Sequence, residues 1–210
     1  MEITYLGMNA VKLSGKSISV LCDPAPKSAG LGDVKGIIDA TLLTSVGQET
    51  PAKPGMVIDG PGEYEVKGAM ITGAPARLHI DAEEKGNQAT IYAVQVDGIT
   101  VGFLGNVAPE LTDAQVEALG AIDVLVLPVG NHGLTLDSVS AAKIISQLEP
   151  KYVIPTHYDD GVTRYEVPQD KVEVFLKEIG SAPEPQVKLK VSSKDLPLET
   201  TVVVLEPQKS

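Results

Sequence analysis

Two near-continuous apolar runs in the second half of the chain, residues 123–129 and 152–155, constrain its fold most strongly. A strand that is covered on both faces has this pattern, because neither face can carry many polar side chains. These runs therefore predict alternating strands and helices beyond residues 99–103, in a sheet that other elements cover on both sides.

Three helices are marked around these runs. Thr112 and Gln115 have the spacing of a capping box, in which both side chains bond to free backbone N–H groups at the start of a helix. The other two helices each have one apolar stripe at i, i+3, i+4 and i+7, which predicts one face against the core. The stripes consist of Ala141, Ile144, Ile145 and Leu148 in one helix and of Val172, Phe175, Leu176 and Ile179 in the other.

The first hundred residues have a different pattern, short β-branched runs separated by glycine and proline, which is typical of strands. The predicted strands are residues 2–6, 17–22, 40–44, 56–58, 69–72 and 88–96. A final strand pair is predicted at residues 187–191 and 201–205. Because both halves need buried sheets, we expect a single domain over residues 1–210.

The composition excludes several classes of partner. The chain has 28 acidic and 17 basic residues, and its net charge of −11 repels phosphate backbones and anionic lipid headgroups. We therefore expect neither nucleic acid nor a membrane as partner. The N-terminus lacks the layout of a signal peptide, so we expect a cytoplasmic location. Cys22 is the one cysteine, which excludes a zinc site built from thiolates.

Seven phrases follow one another along the chain in a fixed order. They are ITYLG, LCDP, GPGEYEVKG, HIDAEEKGNQATIY, GFLGNVAPELTDAQ, DVLVLPVG with TLD after it, and PKYVIPTHY. Together they resemble the small, stand-alone, zinc-dependent hydrolase-like branch of the metallo-β-lactamase superfamily, which is related to lactonases that act on sugar phosphates. The resemblance covers residues 1 to about 160. It implies an α/β fold, a four-layer αβ/βα sandwich in which two mixed sheets pack face to face beneath outer helices.

The resemblance also implies a pair of metal ions at one edge of the sandwich, where a metal-bound water is the nucleophile of hydrolysis. The main metal-binding loop of the family reads His-x-His-x-Asp-His. In this chain Ser45 and Gly47 take the positions of two imidazoles, Glu49 replaces the aspartate and Thr50 replaces the last imidazole. A hydroxyl is a poor zinc ligand and glycine offers no side chain, so this loop predicts a degenerate metal site.

The remaining family positions are partly kept. His79 and His157 match two imidazole ligands, and we expect them to approach each other at one end of the sandwich. Asn106 takes the position of the bridging carboxylate, and its neutral amide lacks the charge that helps to bind two dications. His132 is an additional histidine, predicted on a loop at the same end.

Two functions remain open on the sequence. The first is a homologue that has lost the binuclear zinc site and family hydrolysis, has no cofactor, and binds a small molecule or a protein. The second is a hydrolase of esters, lactones or phosphoesters, with one zinc or other divalent ion in a rebuilt site of Glu49, His79, His132 and His157. The sequence decides neither whether the chain is an enzyme nor its oligomeric state.

Overall fold

The computed structural model describes residues 1–79 and 88–208. Its strands form two mixed sheets. The first sheet has the order β12-β1-β2-β3-β4-β5, and the second has the order β13-β11-β10-β9-β8-β7-β6. The strands are β1 (Glu2–Gly7), β2 (Ala10–Ser14), β3 (Ser19–Cys22), β4 (Ala40–Leu42), β5 (Met56–Ile58), β6 (Gly62–Val66), β7 (Ala69–Arg77), β8 (Gln88–Val96), β9 (Ile99–Phe103), β10 (Val124–Pro128), β11 (Tyr152–Thr156), β12 (Leu189–Lys190) and β13 (Thr201–Val202).

One hydrophobic core joins the two sheets. Tyr5 and Leu13 of the first sheet and Ile91 and Phe103 of the second belong to the same buried cluster, and each is at most 2% exposed. The apolar run that predicted a doubly covered strand is β10, which is buried at every position. The chain is therefore an α/β sandwich of the predicted class.

The helices are α1 (Asp113–Leu119), α2 (Ser138–Leu148) and α3 (Val172–Glu178). The predicted capping box is present at α1, where Thr112 Oγ1 accepts from Gln115 N at 3.3 Å and Gln115 Oε1 accepts from Thr112 N at 2.9 Å. α1 packs on β7 and β8, and α2 packs on α3. No helix of the described part of the chain is long and apolar enough to cross a membrane.

The two predicted final strands are present as β12 and β13, but within the described residues the pairing between their segments is limited to one isolated bridge, between Gln186 and Leu205. β12 pairs with β1 of the first sheet, whereas β13 pairs with β11 of the second, so the two strands lie at the edges of different sheets. β2 and β6 were absent from the predicted strands. β6 lies at the edge of its sheet and carries exposed glutamates at alternate positions, a pattern that lacks the apolar run used to find the other strands.

The strand directions bring the functional loops to one edge of the sandwich. β9, β10 and β11 are parallel, and β7 runs the same way because two antiparallel pairings separate it from β9. In the first sheet, β1, β3 and β4 likewise share one direction. The backbone N–H of His157, after β11, donates to Met8 O, after β1, at 2.8 Å. The carboxyl ends of both sheets therefore meet at this edge.

Gly105 is packed tightly against the first sheet at that edge. It follows β9 with φ +60°, and a Cβ at this position would collide with the Thr44 side chain, which follows β4. A side chain here meets both the left-handed backbone penalty and a steric clash.

We expect Gly105→Ala to lower the free energy of unfolding by about 1–3 kcal/mol more than Gly98→Ala, because overpacking adds to the backbone cost. Gly98 is the matched control, since it has φ +77° and nothing within 4 Å of an added Cβ. Urea unfolding of both variants measures the difference. Equal losses would contradict the close approach of the sheets.

Candidate functional site

A cleft of about 600 Å³ opens at the edge where the strand ends meet. Its walls come from the loops after β1, β3, β4, β7, β9, β10 and β11, together with residues 164–167. The residues that line it include Asn9, Asp23, Ser45, Val46, Gly47, Gln48, Glu49, Asn106, Leu134, His157, Arg164, Tyr165, Glu166 and Val167. The cleft thus lies where the sequence predicted the degenerate metal site.

The loop after β4 contributes backbone and small side chains to the cleft. Ser45 and Gly47 line it, and nothing lies within 4 Å of a Cβ built at Gly47. The carboxylate of Glu49 also lines the cleft and accepts from Lys27 N at 3.4 Å. Thr50 is exposed and is not part of the lining. At these four positions, the loop offers one carboxylate and no imidazole.

Asp23, which follows β3 in the LCDP phrase, is buried in the wall of the cleft. Its two oxygens accept from Thr44 N at 2.8 Å and Thr44 Oγ1 at 2.6 Å. Burial raises the pKa of Asp23 to about 6, against the opposing effect of hydrogen bonds from Thr44 and Gln48. Asp23 thereby fixes the loop after β4 to the end of β3. In the sequence, Asp23 was noted only as part of the LCDP phrase, although a charged residue directly after a buried strand was a signal that it belongs to the site.

A chain of neutral hydrogen bonds occupies the position of the bridging carboxylate. Asn9 Nδ2 donates to Asn106 Oδ1 at 2.7 Å, and Thr156 Oγ1 donates to Asn9 Oδ1 at 3.3 Å. Asn9 follows β1 of the first sheet, whereas Asn106 lies in the loop after β9 and Thr156 ends β11, both of the second sheet. The hydrogen bonds therefore cross between the sheets. The sequence analysis predicted Asn106 here and missed Asn9.

His157 is buried beside this network. Its backbone has φ +50°, in the left-handed region, and its N–H donates to both Met8 O and Tyr5 Oη, at 2.8 and 3.3 Å. Both ring nitrogens are buried and make no hydrogen bond to any described residue. Burial lowers the pKa of His157 to about 4, so the imidazole is neutral at pH 7.

His79 lies next to Asn106, because its backbone N–H donates to Asn106 O at 2.9 Å. It follows the end of β7 and is therefore at the same edge as His157. Its Nδ1 is buried and has no partner among the described residues, but His79 is not part of the cleft lining. Ile80 and Asp81, the rest of the predicted loop, lie outside the described residues.

His132 has a different environment from that required for the rebuilt site. Asn131 and His132 both have positive φ, and the turn directs the His132 ring to Asp170, with Nε2 3.0 Å from Oδ1. The ring is 45% exposed and does not line the cleft. Of the four residues of the rebuilt site, Glu49 and His157 line the cleft, His79 adjoins it, and His132 faces another acid.

The donors at this edge do not fit a binuclear zinc centre. Such a centre needs several imidazoles and carboxylates at about 2.0–2.2 Å from the ions. Within residues 1–79 and 88–208 no three His, Cys, Asp or Glu side chains are grouped so that they could hold a metal ion. Two imidazoles are the exception to this poor fit. Ring nitrogens of His157 and His79 have no hydrogen-bond partner among the described residues, so each histidine could offer a lone pair to a metal ion.

Asp23 and His157 should give the chain opposite dependences of stability on pH. The folded-state pKa of Asp23 is raised from 3.8 to about 6, so its stabilisation is complete below pH 3.8 and is lost as the pH rises through 6. The folded-state pKa of His157 is lowered from 6.5 to about 4, so its stabilisation is complete above pH 6.5 and is lost as the pH falls through 4.

We therefore expect Asp23→Asn to become more stable relative to the parent chain as the pH rises from 4 to 6, by up to about 3 kcal/mol. We expect His157→Asn to become less stable relative to the parent chain over the same rise, by a similar amount. Asparagine suits the positive φ at residue 157. Urea unfolding at several pH values measures both slopes, and slopes of the same sign would contradict the burial of one of the two groups.

Comparison with known proteins gives a consistent result. Residues 2–157 match the family described as the Beta-lactamase superfamily domain. A protein of Methanopyrus kandleri, named a metal-dependent hydrolase, is 27% identical over an alignment that covers 100% of this chain and 99% of that protein. Another protein of that name, from Thermococcus onnurineus, is 34% identical over 103 residues, which cover 47% of this chain and 44% of the relative. The chain spans between 30% and 57% of the length of the Thermococcus and Pyrococcus relatives it matches.

A solved structure from Thermotoga maritima is similar over nearly the whole chain. It is described as a candidate Zn-dependent hydrolase of the metallo-β-lactamase superfamily. Its TM-score is 0.75, its sequence is 26% identical, and the alignment covers 97% of each chain. The family resemblance drawn from the seven phrases is confirmed.

Proposed function

The chain belongs to the metallo-β-lactamase superfamily, and on that premise we propose that it binds a small organic molecule in its cleft and does not hydrolyse it by the two-zinc mechanism. The observation that carries this proposal is that the chain has a cleft, whereas the residues at the family's ligand positions in its lining are replaced. The cleft lies at the strand ends of both sheets, whereas its lining has an amide, a hydroxyl and a glycine at family ligand positions. A binding site without the metal pair accounts for both features.

The charges of the lining disfavour an anionic ligand. Asp23, Glu49 and Glu166 line the cleft, and among the lining residues that the structure describes Arg164 is the one Lys or Arg. An anion would meet this excess of carboxyl groups and the net charge of −11 of the whole chain. The ligand class that fits is therefore a neutral or cationic molecule with hydrogen-bonding groups, and the neutral members of this class are tested below.

The apolar part of the lining supports a ligand with an apolar body. Val46 and Val167 are 57% and 38% exposed at the cleft, and Leu134 also lines it. Small-molecule sites in general combine such apolar walls with a few polar groups that fix orientation. The amides of Asn9 and Asn106 are polar groups of this kind.

The single buried thiol, Cys22, is consistent with action in the cytoplasm.

The second candidate is a hydrolase that uses one divalent ion. Two observations favour it: relatives are named metal-dependent hydrolases, and buried nitrogens of His157 and His79 have no partner in the described structure. When bound, an ion would supply an activated water. The residues that would hold it are His157 and His79 with Glu49, and His132 is excluded from this set because it faces Asp170.

We expect the protein purified without chelator to contain less than one zinc ion per chain, and its melting temperature not to rise on addition of zinc. The reason is that the described residues lack a group of three ligands. Elemental analysis and thermal unfolding measure the two quantities. Hydrolysis of a lactone or phosphoester that is sensitive to chelator and is abolished by His157→Ala would instead establish the one-metal hydrolase.

The matched gain-of-function variant combines Ser45→His, Gly47→His, Glu49→Asp, Thr50→His and Asn106→Asp. Gly47 has space for a side chain, although its φ of +81° makes the substitution strained. An aspartate at 106 can still accept the hydrogen bond from Asn9 Nδ2. We expect this variant to retain zinc after dialysis, as elemental analysis would measure.

We expect neutral fragment molecules to bind in the cleft, and Val46→Trp to weaken that binding at least about tenfold by filling the entrance, a loss of about 1.4 kcal/mol. Val174→Trp is the control, because Val174 is 49% exposed on α3 and lies outside the lining. Ligand-observed NMR with a library of uncharged fragments measures both. Equal binding by the two variants would place the ligand elsewhere.

A further inference from the structure

We infer that Tyr165 is a gate that controls access to His157 from the cleft. This inference concerns the regulation of the cleft and rests on the proposed function for its biological meaning, while its geometry is independent of any ligand. The Tyr165 ring lies on the imidazole of His157, with ring centroids 5.1 Å apart and an angle of 34° between the planes. Both residues line the cleft, and Tyr165 is only half-buried, so the tyrosine lies between the imidazole and the solvent.

The tyrosine is held in place at its far end. Its hydroxyl donates to Tyr158 O at 2.8 Å, on the residue directly after His157. The ring therefore spans the imidazole and is fixed on the same segment that carries it. Burial raises the pKa of Tyr165, which keeps the hydroxyl protonated as a donor at every physiological pH.

The segment that carries Tyr165, residues 159–170, is a loop whose two ends are tied together. Asp159 N donates to Asp170 O at 2.9 Å, which closes the base of the loop. At its start, Asp160 Oδ1 accepts from Val162 N and Thr163 N at 2.8 and 2.7 Å. Compact loops with close ends, packed by their own side chains, are frequently functional. Hydrogen bonds within the segment thus hold both the base of the loop and its first turn.

The closed arrangement leaves His157 unsatisfied. Both of its ring nitrogens are buried and have no partner in the described structure, and its backbone has φ +50°. Buried polar atoms without partners are unfavourable, and strained residues cluster at functional sites. A ligand that displaces Tyr165 can provide the missing donor and acceptor to the imidazole, which favours the open state.

Chemical modification tests the gate without any ligand. Diethyl pyrocarbonate acylates neutral, accessible imidazoles, and mass spectrometry of peptides reports each histidine separately. His132 is an internal reference, because its ring is 45% exposed. His157 is 3% exposed and its ring lies against the Tyr165 ring, so its burial protects it from the reagent.

In the parent chain we expect His157 to react at least about tenfold more slowly than His132, as local opening must precede modification. Tyr165→Ala should bring the two rates to within about threefold of each other, because the face of the imidazole that Tyr165 covers is then exposed to the cleft. Tyr165→Phe is the matched control, since it keeps the ring, and His157 should remain protected in it. Rapid modification of His157 in the parent chain, or equal rates in the Phe and Ala variants, would overturn the assignment.

Cys22 reports whether a variant is folded, because this thiol is buried and should not react with a disulfide reagent in the native state. If Tyr165→Ala unfolds, Asp160→Ala provides the second test. It removes the bonds that shape the first turn of the loop, so Tyr165 is held less firmly, and it changes neither the Tyr165 nor the His157 side chain. We expect faster modification of His157 in this variant while Cys22 stays unreactive, and unchanged protection would count against the gate. If fragments fail to bind the parent chain while His157 is protected in it as expected, the proposed function is refuted and the gate is not.

Discussion

The burial of two sheet faces against each other is the constraint on which the rest of the structure depends. Tyr5 and Phe103 come from different sheets and belong to one buried core, so neither sheet can exist without the other. Once the sheets are fixed in this way, their strand directions decide where the loops lie. The ends of β1, β3 and β4 and those of β7, β9, β10 and β11 meet at one edge. Polar residues far apart in sequence are thereby concentrated around one cleft.

At that edge, neutral hydrogen bonds connect the end of β1, the loop after β9 and the end of β11. Asn9, Asn106 and Thr156 form a chain of side-chain bonds between the sheets. Amides and hydroxyls have no net charge, so this network needs no cation to balance it. Asp23 adds a buried carboxyl group, whose bonds to Thr44 hold the loop after β4. The scaffold of the cleft is therefore formed by the chain itself.

The sequence was sufficient for the fold class and for most strands, because apolar runs and a capping box are local signals. It located Ser45, Gly47, Asn106 and His157 at the cleft through their positions in a family pattern. It missed Asn9 and the covering role of Tyr165, since both act through contacts with residues distant in sequence. It also could not show that His132 turns toward Asp170, which depends on a positive φ that no residue pattern revealed.

At the same edge of the molecule, burial raises the pKa of Asp23 and lowers the pKa of His157. Between about pH 4 and 6, unfolding releases a proton from one and takes up a proton at the other, so the net exchange with solvent is close to zero. A descendant sequence that replaces either residue alone loses this balance, and its stability then varies with mild acidity. Replacement of both restores the balance. The two positions are therefore coupled in their effect on stability through the protons they exchange.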